Sequence, residues 1–254
     1  MTPSDQFRSL PSRLRLADAQ PQIRGEDFKD YDQFPVKDPA GKVIGLAFRT
    51  DVAQGDHADT VRAIMRGFVH LPPIEAGEPL GKAVGQLRST PARLVWRNGT
   101  VVGLVHKSDY NRTIARAAFY LEIAATEVAI QSLIRKIYAK DEWMGLLDKK
   151  RRKDIRRRRL REKSDRANVD LTEYTCLSDL LDVVTRDTAK HTWSVLACSS
   201  LYDWKSATKG LEDFRNRVMH PVRSLVARSQ SLDLLHERHG QVQELLQRLR
   251  VTLE

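Results

Sequence analysis

The stretch ARLVWRNGTVVGLVHKSDYN, residues 92–111, reads as a short strand, a turn at RNG and a β-branched strand that stops before Asp109. Asn-Gly between two apolar runs is a strong hairpin signal. The same pattern occurs once before, as FPVKDPAGKVIGLAFRTDVA over residues 34–53, with its turn at DPAG. Gly41 matches Gly99, Gly45 matches Gly103 and Asp51 matches Asp109, each pair 58 residues apart. A fixed period of this kind marks a duplicated supersecondary unit. Between the copies, DHADTVRAIMRGF and EPLGKAVGQL carry helical spacing, as at Leu80, Val84 and Leu87. Residues 1–111 are therefore predicted as a small α+β domain built from two related βαβ-type halves.

The paired copies resemble the CBS module, a family that joins two such copies into one nucleotide-sensing unit. The second copy carries the resemblance from PLGKAV through NGTVVGLVHKSD; the first carries it from Phe34 onward, and its leading helix, within SRLRLADAQPQIRGEDF, looks degenerate. The resemblance implies a regulatory adenine nucleotide, with Asp51 and Asp109 at the positions that contact ribose. Three residues earlier the family places a Thr or Ser that helps hold phosphate; here Phe48 and His106 stand there. Arg49 and Lys107 are the cations that could serve a phosphate instead.

Composition bounds the partners. A 254-residue chain that is 41% hydrophobic and 30% charged is globular in type, and a formal charge of +10 makes polyanions the first partners to consider. Cys176 and Cys198 lack metal-ligand spacing and read as buried thiols in a reducing compartment. The N-terminal stretch lacks the apolar core of a signal peptide, and no run is expected to span a bilayer. A cytoplasmic protein without a membrane partner is the expectation.

After Asp109 the pattern turns helical. Over residues 112–138, Ile114, Ala118, Leu121, Ala125 and Val128 form one apolar set, and Phe119, Ile123, Ile130, Ile134 and Ile137 form a second on another side. Such a helix must be covered twice, inside a bundle or between subunits. An arginine-rich insert follows at 148–163, DKKRRKDIRRRRLREK. Like charges at i,i+4 disfavour a helix there, so a mobile or weakly helical segment is expected. Its Arg151, Arg152, Arg156, Arg157, Arg158, Arg159 and Arg161 are candidate RNA phosphate contacts. An acidic protein partner or a self-associating subunit is the competing target. DLTE at 170–173 has capping-box spacing ahead of Leu177, Leu180, Leu181 and Val184. Further amphipathic patterns at Leu211, Phe214 and Val218, and from Leu232 to Leu249, complete a predicted all-α bundle of about four long helices over 112–254.

One of these helices carries FRNRVMHP, residues 214–221. Asn216 and His220 share a face, and Pro221 disfavours helical geometry at His220. Histidine exchanges protons near neutral pH and arginine stays charged, a pair suited to a phosphodiester. No carboxylate or Cys/His cluster suggests a metal. The spacing R-N-x-x-x-H in a helical bundle resembles the HEPN superfamily, many of whose members are metal-independent endoribonucleases of toxin–antitoxin and defence systems. The resemblance implies Arg215, Asn216 and His220 as the catalytic set, no catalytic cofactor, RNA as substrate and a homodimer with a shared cleft. It also implies an antitoxin or defence-system partner. The bland alternatives are a cationic helix C-cap, or a catalytically silent module that binds nucleic acid or a protein partner. His236 and His239 are expected at the surface, and His191 as a packed polar residue.

Overall fold

The computed structural model describes residues 2–3, 8–161, 169–190, 192–227 and 231–254. His191 and the last two residues of the 148–163 insert lie outside the described residues. The chain divides into two units, Met1–Tyr110 and Asn111–Glu254.

The first unit holds β1 (Thr2–Pro3), β2 (Leu10–Pro11), β3 (Gln33–Lys37), β4 (Val43–Phe48), β5 (Arg66–Gly67), β6 (Ile74–Glu75), β7 (Ala92–Arg97) and β8 (Thr100–His106). Its helices are α1 (Leu16–Arg24), α2 (Arg49–Gln54), α3 (Val61–Ile64) and α4 (Leu80–Gln86). One sheet runs β2-β3-β4-β5 and the other β1-β8-β7-β6. In each, a helix carries the chain between two parallel strands, β2 to β3 through α1 and β6 to β7 through α4. An antiparallel hairpin follows, and both hairpins shift register at the matching place, after Val36↔Gly45 and after Val95↔Gly103. Arg97 pairs with Thr100, which leaves Asn98 and Gly99 as a two-residue loop with φ of 51° and 74°. Positive φ at both residues suits the right-handed strand twist, and Asn-Gly tolerates it.

The copies are interlocked. β5 precedes the second copy but pairs with β4 of the first, while β1 precedes the first copy and pairs with β8 of the second. Gly45 makes the β4–β5 pairing possible, since a Cβ there would sit 2.7 Å from the Arg66 carbonyl oxygen. Leu46 and Phe48 of β4 share a core with Ala92 and Leu94 of β7. The first copy's leading helix is intact rather than degenerate. Leu16, Ala19, Gln20 and Ile23 form its buried face, and Pro21 projects outward. Gln20 Nε2 donates to the Val52 and Gly55 carbonyls, each at 3.1 Å.

The second unit is helical: α5 (Thr113–Ile137), α6 (Lys149–Arg161), α7 (Leu177–Arg186), α8 (Thr192–Val195), α9 (Leu201–Thr208), α10 (Leu211–Met219) and α11 (Leu232–Leu253). Helix α5 packs on α7, α10 and α11. Its Phe119 meets Phe214 of α10 and His239 of α11 edge-on, at centroid distances of 5.7 and 5.1 Å. Phe119, Ile123, Ile130 and Ile134 are buried, whereas Ile114, Leu121 and Val128 are 77%, 67% and 56% exposed. The helix is thus apolar on two sides and covered on one. By length and composition it is also apolar enough to cross a membrane, and 39% of its most apolar stretch is buried in this unit.

Four expectations change. Only α5 and α11 among the described helices exceed 20 residues, so the bundle has two long members rather than four. The basic insert forms α6, because Ile155 is buried and Asp154 pairs with Arg157 at 2.9 Å. Asp170 caps the short 3₁₀ turn Leu171–Tyr174 instead of α7, whose start is boxed by Cys176 and Asp179. Cys176 is accordingly half-buried, and Cys198 alone is a buried thiol.

Candidate functional site

Helix α10 carries Arg215 and Asn216 and ends at Met219. His220 follows in extended geometry, φ −107° and ψ 101°, as expected for a residue before proline, and is exposed. The last carbonyls of a helix have no partner within it. Here Arg116 of α5 supplies the donors: Nη1 to the Arg217, Val218 and His220 carbonyls, Nη2 to Arg223 and Nε to Asn111. Asn111 accepts from the Leu225 and Val226 N–H groups and donates to the Val226 carbonyl. The turn bearing His220 is therefore built from outside α10.

Arg215 meets a carboxylate that the sequence reading did not single out. Its Nε lies 3.5 Å from Glu127 Oε1 on α5, and its Nη1 donates to Asn216 Oδ1 at 3.3 Å. Burial holds the Glu127 carboxyl above the usual carboxylate range, and Arg215 offsets only part of that rise. Asn216 thus faces the arginine. Glu122 and Glu127 are the only acids within α5, and Arg116 its only base before the last turn. Isolated charges on an apolar helix were the available signal for all three.

Glu122 serves another pair. Its Oε2 lies 2.6 Å from His239 Nε2, and His239 is 1% exposed. The surface position expected for His239 is wrong, because the ring fills the core beside Phe119. His236 is half-buried with Nδ1 enclosed and unbonded. Burial lowers the His239 pKa, Glu122 raises it in part, and His236 lowers it further.

The arginines of α6 divide by face. Arg151 reaches Asp179, a buried carboxylate, at 3.4 Å, and Arg158 donates to the Tyr174 carbonyl at 3.0 Å. Lys149, Arg152, Lys153, Arg156, Arg157 and Leu160 line an open groove of about 620 Å³. Their i, i+3, i+4, i+7 spacing puts five cations on one stripe. Arg159 and Arg161 are exposed beside it.

In the first unit, Arg49 binds inward. It donates to the carbonyls of Ile23, Phe28 and Tyr31 and lies 3.6 Å from Asp32. Asp51 stands at 3.4 Å from Arg66, whose guanidinium covers the Phe48 ring at 4.5 Å. Asp109 is buried and accepts from the His106 N–H at 2.9 Å. His106 Nδ1 and Ser108 Oγ are 2.7 Å apart, and burial lowers the His106 pKa. Lys107 is exposed. Of these residues, Asp51 and Lys107 are the more accessible, while Arg49 and Asp109 take part in the fold.

No family model matches the chain, and no curated protein matches it. Among solved structures, it is similar to a hemolysin-like protein containing a CBS domain from Oenococcus oeni PSU, at 21% identity and a TM-score of 0.37, over 43% of this chain and 83% of that one. It is similar to CBSX2 in complex with AMP at 17% identity and a TM-score of 0.39, over 48% of this chain and 93% of that one. The CBS domain of a bacterial CNNM/CorC family Mg2+ transporter in complex with ATP matches at 21% identity and a TM-score of 0.35, over 43% of this chain and 79% of that one.

Proposed function

We propose that the chain is a metal-independent endoribonuclease of the HEPN type, gated by an adenine nucleotide bound to its CBS-like unit. The observation that carries this reading is the α10 end: a cation 3.5 Å from Glu127 and hydrogen-bonded to Asn216, followed by an exposed histidine on a turn held by Arg116 and Asn111. In the proposed reaction the RNA 2′-hydroxyl attacks the adjacent phosphorus, and the 5′-oxygen leaves. His220 takes or gives the proton, and Arg215 stabilises the charge gathered on the phosphorane oxygens. The products are a 2′,3′-cyclic phosphate and a 5′-hydroxyl. The α6 stripe tracks phosphates beyond the scissile one.

A homodimer suits the open face of α5, where Ile114, Leu121 and Val128 recur every seven residues and remain exposed. Two copies would bring two histidines to one cleft, so that one acts as base and the other as acid. A toxin or defence setting with an antitoxin-like partner belongs to the same proposal. The second reading is a silent nucleic-acid-binding module, favoured by an α6 stripe that needs no histidine to bind phosphate.

Incubation of the purified chain with a mixed RNA pool, with and without EDTA, tests the proposal. Cleavage that persists in EDTA and leaves cyclic-phosphate ends supports it. Intact RNA bound in a salt-dependent way supports the second reading.

A further inference from the structure

We propose that Glu127 is a positioning residue for Arg215, holding the guanidinium by its Nε edge so that the Nη groups are presented to an RNA phosphate. The inference rests on the nuclease reading for its chemistry, but the contact itself belongs to the structure. Arginine has five N–H donors on a rigid plane, joined to the backbone by a long flexible stem. A plane fixed at one edge offers the remaining donors in one orientation; an unfixed plane must lose rotamer freedom each time it binds.

Two groups bear on the Arg215 plane, one as an ion pair and one as a hydrogen bond. Glu127 Oε1 approaches Nε at 3.5 Å, and Asn216 Oδ1 takes an Nη1 hydrogen at 3.3 Å. The second Nη1 hydrogen and both Nη2 hydrogens are not used by these two partners, enough for a paired contact with phosphate oxygens. The side chains are 23% and 31% exposed, so the pair is screened less than one in open solvent. Glu127 Oε1 is enclosed and makes no hydrogen bond within normal geometry, so Arg215 is the cation nearest to compensating it among the described residues. Removing the carboxylate oxygens would free the plane while leaving its charge.

The competing account is a salt bridge that only ties α5 to α10. The two accounts separate because a tie affects stability, whereas positioning affects turnover below the melting range. Glu127→Gln is nearly isosteric and keeps an oxygen for Nε–H; Glu127→Ala removes it; Glu127→Asp shortens the reach. Each full-length variant would be compared with wild type by melting, RNA affinity, cleavage kinetics and the NMR signal of the Arg215 Nε–H. The proposal expects kcat to fall about 10-fold for Gln and about 100-fold for Ala, with Asp between wild type and Ala and KM changed less than kcat. It also expects a slowly exchanging Nε–H in wild type and a fast-exchanging one in Glu127→Ala. A folded Glu127→Ala variant with kcat within about two-fold of wild type overturns the proposal. Should wild type cleave no RNA, the nuclease reading fails separately, and the Nε–H signal still decides the contact: exchange unchanged between wild type and Glu127→Ala overturns it.

Discussion

Arg116 donates to five carbonyls around the end of α10, a role that no spacing in the sequence announces. Removing it leaves several buried acceptors without donors. Arg116→Ala is therefore expected to destabilise the helical unit by about 3 kcal/mol, and Arg116→Lys by less, because a lysine still offers three donors. Urea unfolding of the full chain checks the order; equal midpoints for all three would show that the carbonyls find water instead. His239 gives a pH prediction. Its pKa lies below the ordinary value in the folded chain, mainly through burial, with Glu122 offsetting part of the effect. The unfolded chain then takes up the proton first as pH falls through about 6.5, so the stability is full above that value and is lost below it. Melting followed from about pH 8 to about pH 5 should show this loss, and His239→Gln should flatten it. The R-N-x-x-x-H set was legible because its residue types and spacing are local. Glu127, Arg116 and Asn111 were not, because their partners lie about 90 to 115 residues away along the chain.

At the scale of elements, local patterns were sufficient where they agreed with burial. The hairpin at Asn98–Gly99 and the two-sided helix α5 could both be read from the sequence, since turn chemistry and apolar period act within a few residues. Helix α6 could not. Charge repulsion along it is real, but one buried Ile155 and the anchors from Arg151 to Asp179 and from Arg158 to Tyr174 settle its conformation. The same division yields a test. Neutralising Arg152, Lys153, Arg156 and Arg157 together should weaken RNA binding and reduce the slope of log affinity against log salt by about 3, at roughly 0.7 per phosphate on a single strand. Neutralising Arg151 and Arg158 should lower the melting temperature and change the slope little. Equal effects from both sets would remove the groove face from the RNA contact.

At the scale of the molecule, the duplication is the feature that the sequence displayed most fully, and the exchange of β1 and β5 between copies is what it concealed. Strands of two residues carry no periodicity, and which edge they join depends on a fold already formed. The exchange makes the first unit cooperative, so a ligand of either copy should stabilise both. AMP or ATP at about 100 times its Kd should raise stability by about 2.7 kcal/mol, and Asp51→Ala should remove the shift. Asp51 is the better probe, because Asp109 also bonds the His106 N–H. Absence of any shift with adenine nucleotides would leave the unit as a scaffold.

The central claim is that His220 transfers a proton during RNA cleavage. Its most direct test is the cleavage rate of wild type and His220→Ala in EDTA, at RNA concentrations that saturate both. The account predicts a fall of about 100-fold or more, with RNA affinity and melting temperature close to wild type. A His220→Ala variant that cleaves at the wild-type rate would contradict it, and His220 would then be a helix-end residue only.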